Sequence, residues 1–146
     1  MSVQQDDTRS QLSPRVAAPA IHGALGDPAG CSCNAMSLPS PAAAFIVLRI
    51  AGEIDLSTVD TMKAALADAL RQRPNHLLVD LAELAFCSVR GLALLVAAGD
   101  TASGQGTVYA VSSASNLINR VWTIGWPDGE LPTRYPTTAA GVLAMA

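Results

Sequence analysis

The fold of this chain is decided by residues 45–55, which read FIVLRIAGEID. The first six of these residues form an apolar run rich in β-branched side chains, a pattern that predicts a strand. Ala51-Gly52 ends the run. Ser57 then precedes the acidic Asp60 by three positions, which is the capping-box arrangement at the start of a helix. The stretch therefore predicts a strand that passes directly into a helix.

Strands and helices continue to alternate after this stretch. From Phe45 the predicted order is β-α-β-α-β-α-β-α, which favours a mostly parallel sheet with crossover helices. The first helix carries an apolar stripe at spacings of three and four residues. The predicted elements that follow it are a strand at 77–81, a buried helix at 91–101, a strand at 107–111, a helix capped by Ser115, an edge strand at 131–135 and a last helix from Pro136. The pattern is that of an α/β domain.

The composition sets the domain plan and excludes several classes of protein. The chain has 146 residues, enough for one domain and a tail. Five of the nine prolines precede residue 42, so residues 1–42 are predicted to be a disordered or weakly ordered Pro/Gly-rich tail and residues 43–146 a compact domain. The net charge of −3 and the charged fraction of 14% leave no basic stripe for a nucleic acid.

No stretch of the chain has the pattern of a targeting or membrane segment. The first residues are acidic and polar, unlike a secretory signal. The uncharged segment at 28–48 is interrupted by three prolines, whereas a membrane span needs about 20 predominantly apolar residues. We therefore expect a soluble cytoplasmic protein that has no membrane partner.

The side chains that carry chemistry form few combinations. The three cysteines, Cys31, Cys33 and Cys87, are predicted to be reduced thiols, and the spacing of the first two differs from the C-x-x-C of zinc sites. No nucleotide-binding glycine motif and no G-x-S-x-G elbow is present. The sequence therefore predicts no metal site, no cofactor and no enzymatic activity. Asp80 and Glu83 lie at the end of a predicted strand, where acidic residues often line a site.

Three segments of the chain form one pattern: VLRIAGEID at 47–55, LLVDLAELAF at 77–86 and GLALL at 91–95. Together they resemble the STAS domain family of bacterial anti-sigma factor antagonists. The resemblance covers about residues 43–146 and allows a first strand within 33–38. It implies a single α/β domain with a mixed sheet of four to five strands and about four helices, mostly packed on one side of the sheet. We expect a monomer or a weak dimer.

The resemblance also implies a function in transcription regulation by partner switching. Antagonists of this family bind a cytosolic anti-sigma factor, often itself a serine kinase, and thereby free the sigma factor. The kinase phosphorylates a serine at the start of the second main helix, and the added charge of about −1.5 to −2 breaks the complex. The predicted partner-binding residues are Glu53, Asp55, Ser57, Ser88, Val89 and Arg90. Glu53 and Asp55 have a structural alternative, because acidic groups suit the start of a helix.

The chain departs from the family at the phosphorylation site. The family pattern after the phenylalanine is x-Asp-Ser-Ser-Gly-Leu, where this chain has CSVRGL at 87–92. Aligned on Phe86 and Gly91, the phosphoacceptor serine becomes Arg90, which a serine kinase cannot phosphorylate. In one interpretation the protein is an antagonist that the usual kinase cannot release, and Arg90 offers a fixed cation to an acidic or phosphorylated group of the partner. In another, control by phosphorylation has moved to Ser88.

Two further interpretations use other residues. Cys87 would be a redox switch, with Cys31 or Cys33 as its partner, because a helix start and a neighbouring arginine lower the pKa of a thiol. The structural alternative is that Cys87 is a small buried residue at the end of a strand. In the last interpretation the domain binds a small ligand near Asp80 and Glu83.

Overall fold

The structure is a computed structural model that describes residues 21–26, 30–39, 43–126, 129 and 131–145. Seven strands and four helices are formed by these residues. The strands are β1 (Ile21–Gly26), β2 (Cys31–Leu38), β3 (Phe45–Ile54), β4 (His76–Asp80), β5 (Leu84–Cys87), β6 (Val108–Ser112) and β7 (Thr133–Tyr135). The helices are α1 (Val59–Arg71), α2 (Val89–Gln105), α3 (Asn116–Gly125) and α4 (Thr138–Met145).

The strands form one mixed sheet in the order β1-β2-β3-β4-β6-β7, and β5 also pairs with β3. Strand β2 pairs antiparallel with both β1 and β3, whereas β4 and β5 pair in parallel with β3, β6 with β4 and β7 with β6. The ten-residue β3 is central, because its first half pairs with β4 and its last residues pair with β5. The predicted mixed α/β architecture is confirmed, with more strands than the four to five expected.

Of the strands beyond the four predicted from Phe45 onward, β1 and β2 lie in the segment that the sequence predicts as a tail, whereas β5 lies within the predicted compact domain. Strand β2 includes the strand expected within 33–38 and pairs with β3 along its whole length. Strand β1 pairs with β2, while residues 1–20 and 40–42 lie outside the described residues. The sheet therefore begins before residue 43. The alternating side chains that β2 buries are short: they are those of Cys31, Cys33 and Ala35. Such residues carry little strand signal of their own, and they form a strand mainly because they pair with a neighbouring strand.

Alternating side chains of the sheet face two separate cores. Ile46, Leu48 and Ile50 of β3 belong to the larger core, which lies beneath α1, α2 and α3. Phe45 and Val47 point to the opposite face and pack in a smaller core that includes α4. Three of the four helices therefore cover one face of the sheet, in agreement with the prediction that the helices pack mostly on one side.

The starts of two helices position the residues that the sequence singles out. Helix α1 begins after Thr58, and the predicted capping box at Ser57 is wrong, because the Thr58 hydroxyl bonds to the preceding loop instead. That hydroxyl donates to the Glu53 carbonyl (2.8 Å) and accepts from the Asp55 amide (2.9 Å), which ties the loop to the end of β3. Helix α2 begins after Ser88, whose Oγ accepts a hydrogen bond from the amide of the third residue of the helix (3.2 Å).

Candidate functional site

The loops that leave β3 and β5 lie side by side at the carboxyl edge of the sheet. The two strands are parallel, and Ile54 and Cys87 are paired positions at their ends. The Ser88 amide donates to the Ile54 carbonyl (2.8 Å), which joins the two loops directly. The predicted partner-binding residues at 53–57 and 88–90 therefore come together, and we call the face that they form the carboxyl-edge surface.

Asp55 organises the loop between β3 and α1. Its Oδ1 accepts hydrogen bonds from the Ser57 hydroxyl (2.7 Å) and the Ser57 amide (2.9 Å), and it lies 3.3 Å from the Thr58 hydroxyl, whose hydrogen is directed to the Glu53 carbonyl. These bonds, those of Ser57 first, hold the pKa of Asp55 below its usual value. Asp55 thus presents a fixed negative charge and orients Ser57, while Glu53 next to them is exposed to solvent.

Val89 and Arg90 extend from the first turn of α2. The Val89 side chain is 64% exposed, and Arg90 is exposed and makes no ion pair with any described residue. The positive end of the helix dipole lies here, and no acidic residue stands in the first turn. The helix start and Arg90 therefore create a local positive potential, which can hold an acidic or phosphorylated group.

Two apolar residues of this surface are missed by sequence reasoning. Leu56 is 84% exposed and Phe86 is 49% exposed, although both side chains are large. Together with Val89 they place apolar area among charged groups, an arrangement typical of protein interfaces. The sequence signal for Leu56 is an apolar residue within a polar turn. Phe86 carries no such signal, because an aromatic residue in a strand is ordinarily expected to be buried.

Cys87 is half-buried at the end of β5. Its Sγ atom packs against the backbone of Gly91 and near Ile54. Burial raises the pKa of the Cys87 thiol to about 12. The expectation was that the helix start and Arg90 lower this pKa, whereas desolvation of the half-buried thiol raises it.

The structure does not bring Cys87 together with the other two cysteines. Cys31 and Cys33 lie on β2, and β3 separates this strand from β5. Adjacent strands are about 4.8 Å apart, so β2 and β5 are about 10 Å apart, which exceeds the Cα separation of about 4.4–6.8 Å in a disulfide. Burial also raises the pKa of Cys33 to about 12, with Cys31 as a lesser cause. The predicted redox pairing is therefore not formed in this fold.

Asp80 and Glu83 occupy different environments. Asp80 is 1% exposed, and its two carboxylate oxygens accept hydrogen bonds from Arg49 Nε (3.2 Å) and the Ala82 amide (2.9 Å). The Glu83 side chain is exposed, and its carbonyl accepts from the Gly52 amide (3.0 Å). The carboxylate of Asp80 thus serves to join β3 to β4, and only Glu83 is open to a ligand.

The part of the chain that the structure describes was searched for metal-binding clusters and for membrane-spanning helices. No group of three His, Cys, Asp or Glu side chains there is placed to hold a metal ion. None of the helices in these residues is long and apolar enough to cross a membrane.

The fold and its exposed edge define an α/β domain with the features of a binding module, and comparison with known proteins identifies the family. The family model described as "Mlab, STAS domain" matches residues 41–123. The chain belongs to this STAS domain family. No match was found among curated protein sequences.

Solved structures with the same fold include an anti-sigma factor antagonist, a cell fate determinant and an anion transporter. An anti-sigma factor antagonist from Mycobacterium paratuberculosis superposes with a TM-score of 0.65 at 21% identity, over 83% of this chain and 98% of that one. The Bacillus cell fate determinant SpoIIAA in its phosphorylated form has a TM-score of 0.56 at 16% identity, over 75% and 97%. The murine anion transporter Slc26a9 has a TM-score of 0.61 at 13% identity, over 73% of this chain and 18% of the transporter. At these identities the likeness establishes the fold.

Proposed function

We propose that this protein is a cytoplasmic binding module of the anti-sigma factor antagonist type, which regulates transcription by sequestering an anti-sigma factor. It is not an enzyme and needs no cofactor. It binds its partner through the carboxyl-edge surface. Phosphorylation at the usual position does not release the partner, because that position holds Arg90.

The observation that carries this proposal is the placement of Arg90. This residue stands exposed in the first turn of α2, beside the loop after β3. A serine here would be open to a kinase bound on the same surface, whereas a guanidinium has no hydroxyl to accept a phosphoryl group. Arg90 instead offers a permanent positive charge and several hydrogen-bond donors to the partner.

The surroundings of Arg90 support a protein partner. Leu56, Phe86 and Val89 expose apolar area that a partner would cover, and Glu53 and Asp55 supply charge at its rim. Interfaces of this composition combine an apolar centre with polar groups that fix orientation. Ser88 is the hydroxyl two positions before Arg90, and it is the residue to examine for a relocated phosphorylation site.

A pull-down with the anti-sigma factors of the source organism tests the proposal. The full chain is mixed with each candidate, with and without Mg-ATP, and phosphate is mapped by mass spectrometry. We expect a complex with one of them that persists after ATP is added. Loss of the complex together with phosphate on Ser88 would contradict the absence of a kinase switch, and no complex with any candidate would overturn the partner assignment.

A matched pair of variants isolates the missing hydroxyl. Arg90→Ser restores a phosphoacceptor, whereas Arg90→Gln removes the same charge without adding one. If the partner is a kinase, ATP should release the Arg90→Ser complex and leave the Arg90→Gln complex intact. Equal behaviour of the two variants, with no phosphate on the introduced serine, would show that this position does not correspond to the phosphoacceptor.

A further inference from the structure

Helices α1 and α2 pack side by side over the sheet and leave an open groove between them, which we call the α1–α2 groove. Its volume is about 420 Å³, and most of its lining is apolar. Buried side chains of both helices form its floor, those of Leu66, Leu70 and Ala98. Its walls are short, because Ala67 of α1 and Ala97 of α2 are exposed alanines. The groove therefore has the apolar character of a small-molecule site, and its volume lies within the usual range of about 300–1,000 Å³.

The α1–α2 groove runs along the two helices. On α1 its lining extends from Lys63 to Arg71, a length of about 12 Å at a rise of about 1.5 Å per residue. Where both helices end, the Gln105 side-chain amide donates to the Leu70 carbonyl (2.8 Å) and to the Thr107 hydroxyl (3.0 Å). These bonds bridge the helices and bound the groove at that end. An elongated apolar groove of this kind suits an unbranched chain.

The charge of the α1–α2 groove is positive. Among the described residues, the charged side chains that line it are Lys63 and Arg71. Arg71 already pairs with Asp68 (2.7 Å), whereas Lys63 is exposed and makes no ion pair within the described parts of the chain. Asp60, one turn earlier on α1, neither lines the groove nor pairs with Lys63. One end of an apolar groove thus carries an uncompensated cation, which is complementary to a ligand with an apolar body and an anionic head.

We propose that the α1–α2 groove binds a straight-chain carboxylate of the fatty-acid class. The acyl chain lies between the helices over Leu66, Leu70 and Ala98, and the carboxylate meets the Lys63 ammonium. Removal of the chain and of the groove floor from water supplies most of the affinity. The charge-assisted bond to Lys63 sets the direction in which the ligand lies.

This site is distinct from the carboxyl-edge surface. Residues 53–57 and 88–90 do not line the α1–α2 groove, which lies farther along both helices. The ligand proposal therefore goes beyond the proposed function, and its test needs no anti-sigma factor. Failure of the partner assignment and failure of the ligand site are separate results.

Isothermal titration of the full chain with sodium decanoate, kept below its micelle concentration, tests the site. We expect saturable binding of one decanoate per chain. Decanol has the same chain without the charge and should bind about tenfold more weakly, because it cannot form the charge-assisted bond. Decyltrimethylammonium, which places a cation beside Lys63, should bind more weakly than decanol. Equal binding of the three amphiphiles would overturn the role of Lys63 and indicate adsorption to apolar surface.

Two pairs of variants place the ligand in the groove. Ala97→Leu narrows the groove and should weaken decanoate binding by about tenfold or more. Ala64→Leu is its matched control, because Ala64 is exposed on α1 but does not line the groove, and it should leave binding unchanged. Lys63→Gln should weaken decanoate by about five- to tenfold and leave decanol unchanged. Arg71→Gln should change decanoate binding less, because the guanidinium of Arg71 already pairs with Asp68.

Several results overturn the ligand site. They are the absence of saturable decanoate binding, an Ala97→Leu variant that binds like the parent, and a Lys63→Gln variant that weakens decanol as much as decanoate. Circular dichroism checks that each variant folds, which we expect because Lys63, Ala64 and Ala97 are exposed helical positions. If decanoate does not bind and Ala97→Leu instead abolishes binding of an anti-sigma factor, the groove is a protein-docking surface and the ligand proposal is wrong.

Discussion

The Sγ atom of Cys87 lies 2.6 Å from the position that a β-carbon on Gly91 would occupy. Ile54 Cγ2 is 2.9 Å from the same position. The start of α2 therefore approaches the ends of β3 and β5 more closely than any other residue type would allow. This contact fixes the position of Val89 and Arg90, in the first turn of α2, relative to the rest of the carboxyl-edge surface.

Gly91→Ala should therefore destabilise the domain by about 1–3 kcal/mol, because the added methyl group overlaps Cys87 and Ile54. Gly104→Ala, in the same helix, is the matched control: a β-carbon there meets no atom within 4 Å, and the substitution should stabilise by about 0.4–1 kcal/mol. Urea unfolding gives both values. Combining Gly91→Ala with Cys87→Ala should recover part of the loss, and a Gly91→Ala variant as stable as the parent would contradict the close contact.

The cysteine thiols should react slowly in the folded protein. Burial raises the pKa of Cys33 and of Cys87 to about 12, so little thiolate is present near neutral pH. We expect slow alkylation by iodoacetamide at pH 8 and complete alkylation once the chain is unfolded in guanidinium chloride. Fast labelling of Cys87 in the folded state, lost in Cys87→Ser, or an intramolecular disulfide after peroxide treatment would instead favour a redox switch.

The same thiols should make stability fall in alkaline solution. Between pH 9 and 12 the unfolded chain releases protons that the folded state retains, because the thiol pKa values rise from 9.0 to about 12 on folding. The unfolded state then binds fewer protons, so the free energy of unfolding decreases as pH rises above about 9. Burial raises the pKa of Tyr109 as well, which adds to this loss above pH 10.

Denaturant unfolding at several pH values checks this trend. Cys87→Ala and Cys33→Ala should each make the free energy of unfolding fall less steeply with pH, even where they change its absolute value. Tyr109→Phe should reduce the slope only at the higher pH values. A slope that none of these substitutions changes would mean that other groups cause the alkaline loss.

The parts of the fold that local sequence determines are those that could be predicted. The β-branched apolar run at 45–50 and the apolar stripe from Val59 to Leu70 are patterns of local sequence, and the structure has a strand and a helix there. Strand β2 was expected only through a resemblance, because its short buried residues become a strand by pairing with β3. The prediction of a lowered pKa for Cys87 was not met for a related reason. Its burial against Gly91 depends on how α2 packs on the ends of the strands, which local sequence does not show.

In the candidate site, too, some features could be predicted from the sequence and others depend on packing between distant elements. That residues 53–57 and 88–90 share a surface was expected only through the family resemblance, because the pairing of Ile54 with Cys87 uses strand β5, which is not among the predicted elements. The exposure of Phe86 could not be predicted, since it depends on which elements cover its strand. The partner of Asp80 was likewise hidden: Arg49 is its pair in the register of β3 and β4 yet lies 31 residues away along the chain.

This pairing leads to a final prediction about stability. Asp80 is 1% exposed and Arg49 is 46% exposed, with 3.2 Å between Oδ2 and Nε. Arg49→Met should lower the free energy of unfolding by about 1–3 kcal/mol, because it leaves the buried Asp80 carboxylate with only one backbone donor. This loss is smaller than for a fully buried ion pair, because water reaches the arginine side chain. Arg71→Met removes the same cation from the exposed pair with Asp68 and should cost less than about 1 kcal/mol.

Urea unfolding of a double-mutant cycle separates the ion pair from simple loss of a side chain. Asp80→Asn in the Arg49→Met background removes the uncompensated charge. The double variant should therefore lose less unfolding free energy than the sum of the losses in the two single variants. The Arg71 and Asp68 cycle should show a coupling below about 0.5 kcal/mol, because both groups are hydrated whether or not they touch. Equal couplings in the two cycles would mean that burial of Asp80 does not strengthen its pairing with Arg49. The Arg49–Asp80 bond would then contribute little to the junction of β3 and β4.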